Sequence, residues 1–413
     1  MVAKKDAPKL RFKGFTDEWE RRKLIEYLEV SRDKNRDESF GKEDVLTVSG
    51  DYGILNQIEF QGRSFAGVSV ANYGVVNTGY VVYTKSPLKA TPYGIIKTNK
   101  GKAGIVSTLY AVYKPRENVH PEFVQIYFEQ DERMNCYMHP LANKGAKNDM
   151  KISDENALKG EVIFPQKDEQ IKISKFFADL DNLISLHRRK CDKLKEYKKG
   201  CLQKMFPRGD ANVPEVRFPG FTEAWEKRNV SDVAEIVAGG TPSTKIAEYW
   251  TPKEIPWLSS GEVNKKYITF TDNMISKAGM DNSSTKMVKT NSVLIALAGQ
   301  GKTRGTVAIN RIPLTTNQSI AAMTFSDDIV PEFVFSNLEN RYDEIRKMSS
   351  GDGARGGLNK QLVGNIEIPY TSKEEQQKIG EYFSNLDNLI ALQKRECEKY
   401  KELKKGLLQQ MFV

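Results

Sequence analysis

Histidine and cysteine are scarce in this 413-residue sequence, which contains three histidines and four cysteines. They are His120, His139, His187, Cys136, Cys191, Cys201 and Cys397. The histidines are far apart and lack the spacing of a metal site or of a Ser-His-Asp triad. No Cys-x-x-Cys pair occurs, so neither a zinc site nor a disulfide framework is indicated. We therefore expect inert thiols and no metal bound by this chain.

Long apolar runs are also missing. No stretch approaches the roughly 18 residues that a membrane helix needs. Residues 1–10, MVAKKDAPKL, carry charge but no hydrophobic core for a signal peptide. Hydrophobic residues make up 39% and charged residues 28% of the chain, which is typical of a folded globular protein. We expect a cytoplasmic protein with no membrane partner, and the net charge of +9 favours a polyanionic partner only weakly.

Two nucleotide-binding motifs are approximated but incomplete. Residues 351–356 fit Gly-x-Gly-x-x-Gly, yet they follow a helix-like stretch ending at Met348, whereas the dinucleotide motif follows a strand and opens a helix. Residues 301–303, Gly-Lys-Thr, resemble the end of a phosphate loop, but Ala296 stands where that loop requires its first glycine. We therefore expect a chain that is not an enzyme and binds no cofactor.

What the sequence does contain is an internal repeat with a constant offset of 206 residues. Residues 8–24 match residues 214–230 at nine of 17 positions, and residues 170–206 match residues 376–412 at 22 of 37 positions. Between these blocks the two halves show no comparable similarity. A repeat changes the prediction of the fold more than any local motif does. The organisation is a variable domain and a shared helix, each occurring twice.

The shared block has the alternating four-residue and three-residue apolar spacing of a coiled-coil seam. Both copies interrupt it with polar residues at equivalent positions, His187 or Gln393 and Lys198 or Lys404. A solvated helix on a single domain would explain the charges but not the repeated seam. We expect the two copies to pair antiparallel, with a variable domain at each end. The apolar seam positions are Leu180, Ile184, Cys191, Leu194, Leu386, Ile390, Cys397 and Leu407.

Short strand-like runs and helix starts at Pro-Glu pairs alternate within the variable stretches. The sequence predicts an α/β (α+β) fold, in which two globular mixed α/β domains are joined by two long antiparallel coiled-coil helices in a pseudo-two-fold repeat. The expected boundaries are 1–166 for the first variable domain, 167–207 for the central helix, 208–370 for the second variable domain and 371–413 for the second helix.

Loops rich in glycine, small polar residues and bases occur in both variable stretches. Lysine and arginine can neutralise phosphates, and asparagine, glutamine and threonine can read base edges. Surface turns use the same residue types, so each loop alone is weak support for DNA binding. We expect loops at similar places in both halves to contact DNA, with these candidates: Lys97, Asn99, Lys100, Lys102, Lys144, Lys147, Gln300, Lys302, Thr303, Arg304 and Arg355.

The whole pattern resembles the DNA-specificity subunit of type I restriction-modification systems. The resemblance rests on the paired Arg-Phe-x-Gly-Phe-Thr-x-x-Trp-Glu segments and the two Leu-Asp-Asn-Leu-Ile helices. It also rests on three segments of the second half, Gly-Gly-Thr-Pro-Ser-Thr-Lys at 239–245, Ile-Pro-Trp-Leu-Ser at 255–259 and Thr-Asn-Gln at 316–318. These segments add the DNA-binding candidates Thr244, Lys245, Ser259, Asn317 and Gln318. The first variable stretch lacks Gly-Gly-Thr-Pro-Ser-Thr-Lys and Thr-Asn-Gln, so those contacts do not transfer to it.

The resemblance implies a non-catalytic subunit that binds double-stranded DNA and two modification subunits, and in the larger complex two restriction subunits. S-adenosylmethionine would belong to the modification subunits, which methylate adenine N6, and ATP and magnesium to the restriction subunits. Each variable domain would read one half of a bipartite target, with the gap set by the helices. Alternatives are a partner-free two-domain DNA-binding or scaffold protein and, more distantly, a nuclease.

Overall fold

The computed structural model describes residues 7–85, 91–144, 150–299, 302–348 and 357–413. The chain forms two compact units, which divide within two long helices, α4 (Lys167–Lys204) and α10 (Lys373–Met411). The first unit comprises residues 1–187 and 395–413, and the second comprises residues 188–394. Both units mix helices and strands, which confirms the predicted mixed α/β class. Among the described residues, no helix is long and apolar enough to cross a membrane.

The first unit is built on an antiparallel sheet in the order β2-β9-β6-β7, with pairs β1-β12, β3-β4, β5-β8 and β10-β11. Its strands are β1 (Glu20–Lys23), β2 (Leu28–Val30), β3 (Leu46–Ser49), β4 (Gly53–Asn56), β5 (Gly74–Val76), β6 (Val81–Thr84), β7 (Ile96–Thr98), β8 (Gly104–Val106), β9 (Tyr110–Pro115), β10 (Asn143–Lys144), β11 (Met150–Lys151) and β12 (Glu161–Phe164). Its shorter helices are α1 (Gln57–Gln61), α2 (Pro121–Tyr127) and α3 (Asp131–Met138).

The second unit has a five-stranded sheet in the order β14-β21-β18-β19-β16, a three-stranded sheet β17-β15-β20 and the pair β13-β22. Its strands are β13 (Glu226–Asn229), β14 (Ala234–Ala238), β15 (Ile255–Leu258), β16 (Tyr267–Ile268), β17 (Asn273–Ile275), β18 (Val293–Ala296), β19 (Val307–Asn310), β20 (Thr315–Thr316), β21 (Ile320–Phe325) and β22 (Glu367–Tyr370). Its shorter helices are α5 (Val230–Val233), α6 (Lys277–Asp281), α7 (Pro331–Asn340), α8 (Tyr342–Lys347) and α9 (Lys360–Gly364).

The two units share a scaffold although their variable stretches differ in sequence. In each, four strands pair antiparallel in the same order along the chain, so that β2-β9-β6-β7 corresponds to β14-β21-β18-β19. The strand β9 or β21 then leads into a helix that begins with Pro-Glu, α2 or α7. Proline at the first helical position has a preset φ and needs no amide partner, which explains why both helices begin there.

The end of a long helix completes the core of each unit. In the first unit Phe412 is 5% exposed and lies among Trp19, Phe123 and Phe177. In the second unit Phe206 packs against Trp225, Phe333 and Phe383 in the same way. The amide of Leu10 donates to the carbonyl of Gln410 at 2.9 Å, and the amide of Val216 donates to that of Lys204 at the same distance.

A bidentate ion pair recurs at the start of each long helix. Arg11 donates through Nε and Nη2 to Glu169 at 2.7 Å each, and Arg217 donates to Glu375 at 2.6 and 2.8 Å. Both glutamates are buried and lie in the first turn of their helix, where a carboxylate is also favoured by the helix dipole. The repeated Arg-Phe segments therefore dock on the long helices.

The two long helices contact each other within each unit, early positions of one facing late positions of the other. In the first unit the rings of His187 and Tyr400 stack at 5.5 Å, and Cys397 Sγ lies 3.8 Å from the carbonyl of Ile184. In the second unit Cys191 Sγ lies 3.9 Å from the carbonyl of Ile390. Of the predicted seam positions, Leu180, Cys191, Leu386 and Cys397 are buried, and Ile184, Leu194, Ile390 and Leu407 are partly buried.

Candidate nucleic-acid interface

Strand register gathers the loops of the second unit at one edge of its five-stranded sheet. The last residue of β14, Ala238, pairs with Ala321, and the last residue of β18, Ala296, pairs with Ile320 at the start of β21. The chain therefore leaves or enters the sheet on the same side at three places. We define the loop edge of the second unit as residues 239–245, 297–299, 302–306 and 316–319.

Two glycines hold this edge together. A β-carbon at Gly239 would overlap the carbonyl oxygen of Thr316, and one at Gly240 would overlap Ser284 Oγ. The amide of Gly240 donates to the carbonyl of Thr316 at 2.8 Å, and its own carbonyl accepts from Trp257 Nε1 at 3.0 Å. The structure thus brings together the Gly-Gly-Thr, Ile-Pro-Trp and Thr-Asn-Gln segments that the sequence singled out.

Several predicted side chains of the second unit lie at the surface of the loop edge. Thr244, Lys245, Lys302 and Gln318 are exposed, whereas Thr303, Arg304 and Asn317 are partly buried. The hydroxyl of Thr241 donates to Gln318 Oε1 at 2.5 Å, which orients the Gln318 amide. Gln300 and Arg355 lie outside the described residues. This edge offers cations for phosphates and amides and hydroxyls for base edges.

Ser259, another predicted DNA-binding residue, makes its described side-chain contact within the second unit. Its hydroxyl and its amide both contact Glu262 Oε2 at 3.0 Å, so Ser259 caps the short helical segment that follows it. Burial alone would raise the pKa of Glu262, but the hydrogen bonds from the amides of Ser259 and Asp272 and from Lys265 outweigh it and lower that pKa. The Ser259 hydroxyl is therefore committed to a carboxylate inside the unit.

In the first unit two of the predicted DNA-binding residues are buried. Lys97 is 6% exposed and Asn99 is 2% exposed. Burial lowers the pKa of the Lys97 amine. The Asn99 amide donates to the carbonyl of Lys102 at 3.0 Å and accepts from the amide of Gly101 at 3.1 Å, so it shapes its own turn. Lys97 and Asn99 are therefore buried within the first unit, contrary to the expectation that they lie on exposed loops.

The remaining candidates of the first unit divide between a different edge and undescribed positions. Lys100 and Lys102 are exposed, and Lys100 Nζ pairs with Glu122 Oε2 at 2.9 Å. Both follow β7, whose last residue pairs with Val81 at the start of β6. They therefore lie at the edge of the sheet opposite to the one that corresponds to the loop edge. Lys147 lies outside the described residues, and of Lys144 only the backbone is described, in β10.

The equivalent loop edge of the first unit is formed by other residues. Val30 ends β2 opposite Tyr113, and Thr84 ends β6 opposite Tyr110 at the start of β9. Because strand register again places these ends on one side, the loop edge of the first unit is residues 31–36, 85, 91–95 and 107–109. Its exposed cations are Arg32, Lys34 and Arg36. The sequence signal that could have found them is the Arg-x-Lys-x-Arg alternation directly after a strand.

A second surface feature is repeated along the long helices. Three pairs of large apolar side chains, each separated by the repeat offset, are between 38% and 56% exposed. Single exposed apolar residues are ordinary, but the same exposure at equivalent positions in both copies is typical of an interaction surface. We call these residues the outer apolar positions: Leu183, Leu186 and Leu403 in the first unit, and Leu389, Leu392 and Tyr197 in the second. Within the described ranges, no group of three or more metal-binding side chains occurs.

Comparison with known proteins agrees with this geometry. Residues 222–402 match the family model of the type I restriction modification DNA specificity domain. The MjaIX specificity subunit of Methanocaldococcus jannaschii is 31% identical over 193 residues, which cover 46% of this chain and 44% of that protein. The EcoR124I/EcoR124II specificity subunit of Escherichia coli is 24% identical over 191 residues, covering 43% and 47%. The matched part thus spans about half the length of these curated relatives.

Two solved structures share the fold over nearly the whole chain. The type I restriction-modification S subunit from M. genitalium superposes with a TM-score of 0.64 at 14% identity, covering 98% of this chain and 99% of that chain. A chain from a structural study of complex assembly and conformational transition of the type I R-M system gives 0.52 at 16% identity, covering 95% and 97%. Residues 222–402 therefore match a type I restriction modification DNA specificity domain, and the chain as a whole shares its fold with the S subunit from M. genitalium.

Proposed function

We propose that this chain is the sequence-reading subunit of a type I restriction-modification complex and that it acts on DNA in the cytoplasm. The observation that carries the proposal is the common scaffold with two different loop edges. Each unit uses the same strand order and the same helix start, yet the residues that leave the sheet differ completely between units. A protein that reads two unlike half-sites needs this combination of constant support and divergent contact residues.

Exposed cations of the two loop edges would position the DNA backbone. In the second unit these are Lys245 and Lys302, and in the first unit Arg32, Lys34 and Arg36. The neighbouring carboxylate of Asp33 is paired with Lys114 at 3.0 Å, which reduces its repulsion of phosphate. Thr244 and Gln318 would supply hydroxyl and amide groups for base edges in the second half-site.

Removing cations from the loop edge of the first unit should weaken DNA binding, whereas removing them from the opposite edge should not. We expect Arg32→Ala/Arg36→Ala to reduce affinity and to lower the slope of log K against log salt by roughly one for each phosphate that is no longer neutralised. The control, Lys100→Ala/Lys102→Ala, removes the same charge from the same sheet. A salt titration of DNA binding, followed by fluorescence anisotropy on the mapped target, compares the two variants. Equal reductions of DNA affinity in both would refute the assignment of the loop edge.

The long helices would act as a coiled-coil spacer. Four contacts support antiparallel pairing within the units: Cys397 with Ile184, His187 with Tyr400, Cys191 with Ile390 and Lys198 with Asp387. A constant rise of 1.5 Å per residue makes such a helix pair a ruler for the gap between two half-sites.

Lengthening both helices by one heptad should lengthen the gap. Seven residues inserted after His187 and after Gln393 preserve the seam and add about 10 Å, close to three base pairs at roughly 3.4 Å each. The matched control carries seven glycine and serine residues within 208–213, where the described chain is exposed and not helical. Mapping of methylated adenines in cells carrying the complete system measures the gap. An unchanged gap in the helix variant would refute the ruler, and methylation independent of this chain would refute the proposed function.

The partners in this proposal are two modification subunits and, in the larger complex, two restriction subunits. The outer apolar positions support a pair of equivalent docking sites, because exposed large apolar side chains recur at the repeat offset. The modification subunits would carry S-adenosylmethionine, and the restriction subunits ATP and magnesium. This chain would contribute recognition and geometry and no catalysis.

A further inference from the structure

A buried lysine joins three elements of the second unit at one nitrogen. Lys198 occupies a seam position of α4 and is 5% exposed. Its Nζ lies 2.6 Å from Asp387 Oδ2 on α10 and 2.6 Å from Glu339 Oε2 on α7. The lysine therefore bonds both to the other long helix and to the helix that follows the sheet.

A second lysine, Lys266, brings the cluster to two positive and two negative charges. Lys266 Nζ pairs with Glu339 Oε1 and lies 3.3 Å from Asp387 Oδ1, and the hydroxyl of Tyr267 donates to Asp387 Oδ2 at 3.2 Å. Burial acts to lower the pKa of Lys266, but the carboxylates of Glu339 and Asp387 outweigh it and raise that pKa. Lys266 also has a φ of 64°, a conformation that a residue with a side chain rarely adopts without support.

The first unit contains a corresponding lysine–aspartate–glutamate group, in which the Asp181 side chain is 42% exposed and the lysine is buried. Lys404 Nζ lies 2.6 Å from Asp181 Oδ1 on α4 and 2.7 Å from Glu129 Oε1, two residues after α2. Lysine and aspartate are displaced by 206 residues from their counterparts and the glutamate by 210, so the cluster survives although the variable stretches share no sequence. We name these groups the seam clusters: Lys198, Asp387 and Glu339, and Lys404, Asp181 and Glu129.

Buried ion pairs contribute little net stability, because desolvation offsets most of their attraction, but they penalise every arrangement that separates the charges. An apolar seam alone tolerates small rotations and shifts, since one leucine contact replaces another. A seam cluster does not. Moving one heptad towards the C-terminus of the partner helix from Asp387 and Asp181 leads to Lys394 and Arg188, which would place like charges together. Moving one heptad the other way leads to Gly380 and Ser174, which would leave the buried lysine without its aspartate.

We propose that the seam clusters are positioning groups that lock each unit's sheet, through α7 or α2, onto the helix pair in a single orientation. This inference rests on the proposed function, because the fixed orientation would make the complex accept only one gap length. The clusters would thus set the strictness of the gap, while helix length sets its value.

The test removes one buried cation and one buried anion together. In Lys198→Met/Asp387→Leu, Glu339 keeps Lys266 as its partner, so no buried charge is left alone. We expect the variant to unfold cooperatively with a Tm near that of the parent. With its modification partners bound, we expect its preference for the native gap over gaps one base pair shorter or longer to fall about tenfold, the equivalent of roughly 1.4 kcal/mol. The control, Lys195→Met/Asp192→Leu, removes an exposed pair from the same helix and should behave as the parent.

Three outcomes overturn the inference. The first is that the parent discriminates between gaps and the variant discriminates equally well. The second is that the exposed control loses as much gap preference as the variant does. The third is that this variant and its first-unit counterpart, Lys404→Met/Asp181→Leu, both lose cooperative unfolding, which would make the clusters stabilising groups. A parent that does not discriminate between gaps at all contradicts the proposed function itself, so the two failures are distinguishable.

Discussion

Exchanging residues 25–159 for the equivalent stretch of a type I specificity subunit is expected to change one half of the methylated sequence and to leave the other half intact. This result is expected because that stretch contains the whole loop edge of the first unit and none of the second. The repeated anchors, Trp19 and the Arg11–Glu169 pair, lie outside the exchanged stretch and continue to hold the new sheet on the helices. The effect on the old half-site should be complete, since no contact residue for it remains.

The structure also restricts which protein can supply the exchanged stretch. The exchanged stretch includes Glu129, so the donor must supply a carboxylate at that position for Lys404. The reciprocal exchange of residues 231–363 serves as the matched control and should change only the other half. Mapping of methylated adenines identifies the half-sites that each of the two exchanges changes. If either exchange altered both half-sites, the division of one unit per half-site would be wrong.

Truncating Phe412 to alanine should destabilise the first unit, most of which is separated from that residue by the entire second unit in sequence. The Phe412 ring is buried and lies 6.0 Å from Trp19 and 5.6 Å from Phe123, centroid to centroid. Removing a buried phenylalanine side chain costs about 3 to 5 kcal/mol through reduced burial and the cavity left behind. Chemical denaturation followed by tryptophan fluorescence measures this destabilisation.

Two further variants make the experiment specific. Val413→Ala changes the neighbouring, exposed residue and should leave the free energy of unfolding unchanged. Phe206→Ala removes the equivalent ring from the second unit and should destabilise that unit by a similar amount, because Phe206 packs on Trp225 and Phe333. A destabilisation below about 1 kcal/mol for Phe412→Ala would mean that the first unit does not depend on this helix end.

The repeat made much of this architecture predictable. A constant offset identified both long helices and both Trp-Glu segments, and the interruption of the seam by Lys198 and Lys404 marked positions that need partners. The carboxylates Glu129 and Glu339 could not be assigned in the same way, because they follow a different offset in stretches without sequence similarity. Only the fold shows that Glu129 contacts Lys404 and that Glu339 contacts Lys198.

The loops of the first unit show where sequence reasoning fails. Lys97 and Asn99 belong to residue types that usually occupy surface turns, yet both are buried, Lys97 within β7 and Asn99 directly after it. The choice between 97–102 and 31–36 depends on which sheet edge each segment occupies, and strand register determines that edge. No local pattern carries register over the 80 or so residues that separate β2 from β9. In the second unit the distinctive glycine motif at 239–245 identified the loop without knowledge of the strand register.

The placement of Phe412 also has a consequence for biosynthesis. The ribosome makes the strands of the first unit first, but their core stays open until residues 405–412 emerge, after the whole second unit has been synthesised. The second unit, by contrast, already has its closing helix end, Phe206, before its own strands appear. The half of the protein that is translated first therefore matures last, and a chain that stops early presents an incomplete hydrophobic core to chaperones and proteases instead of a functional half.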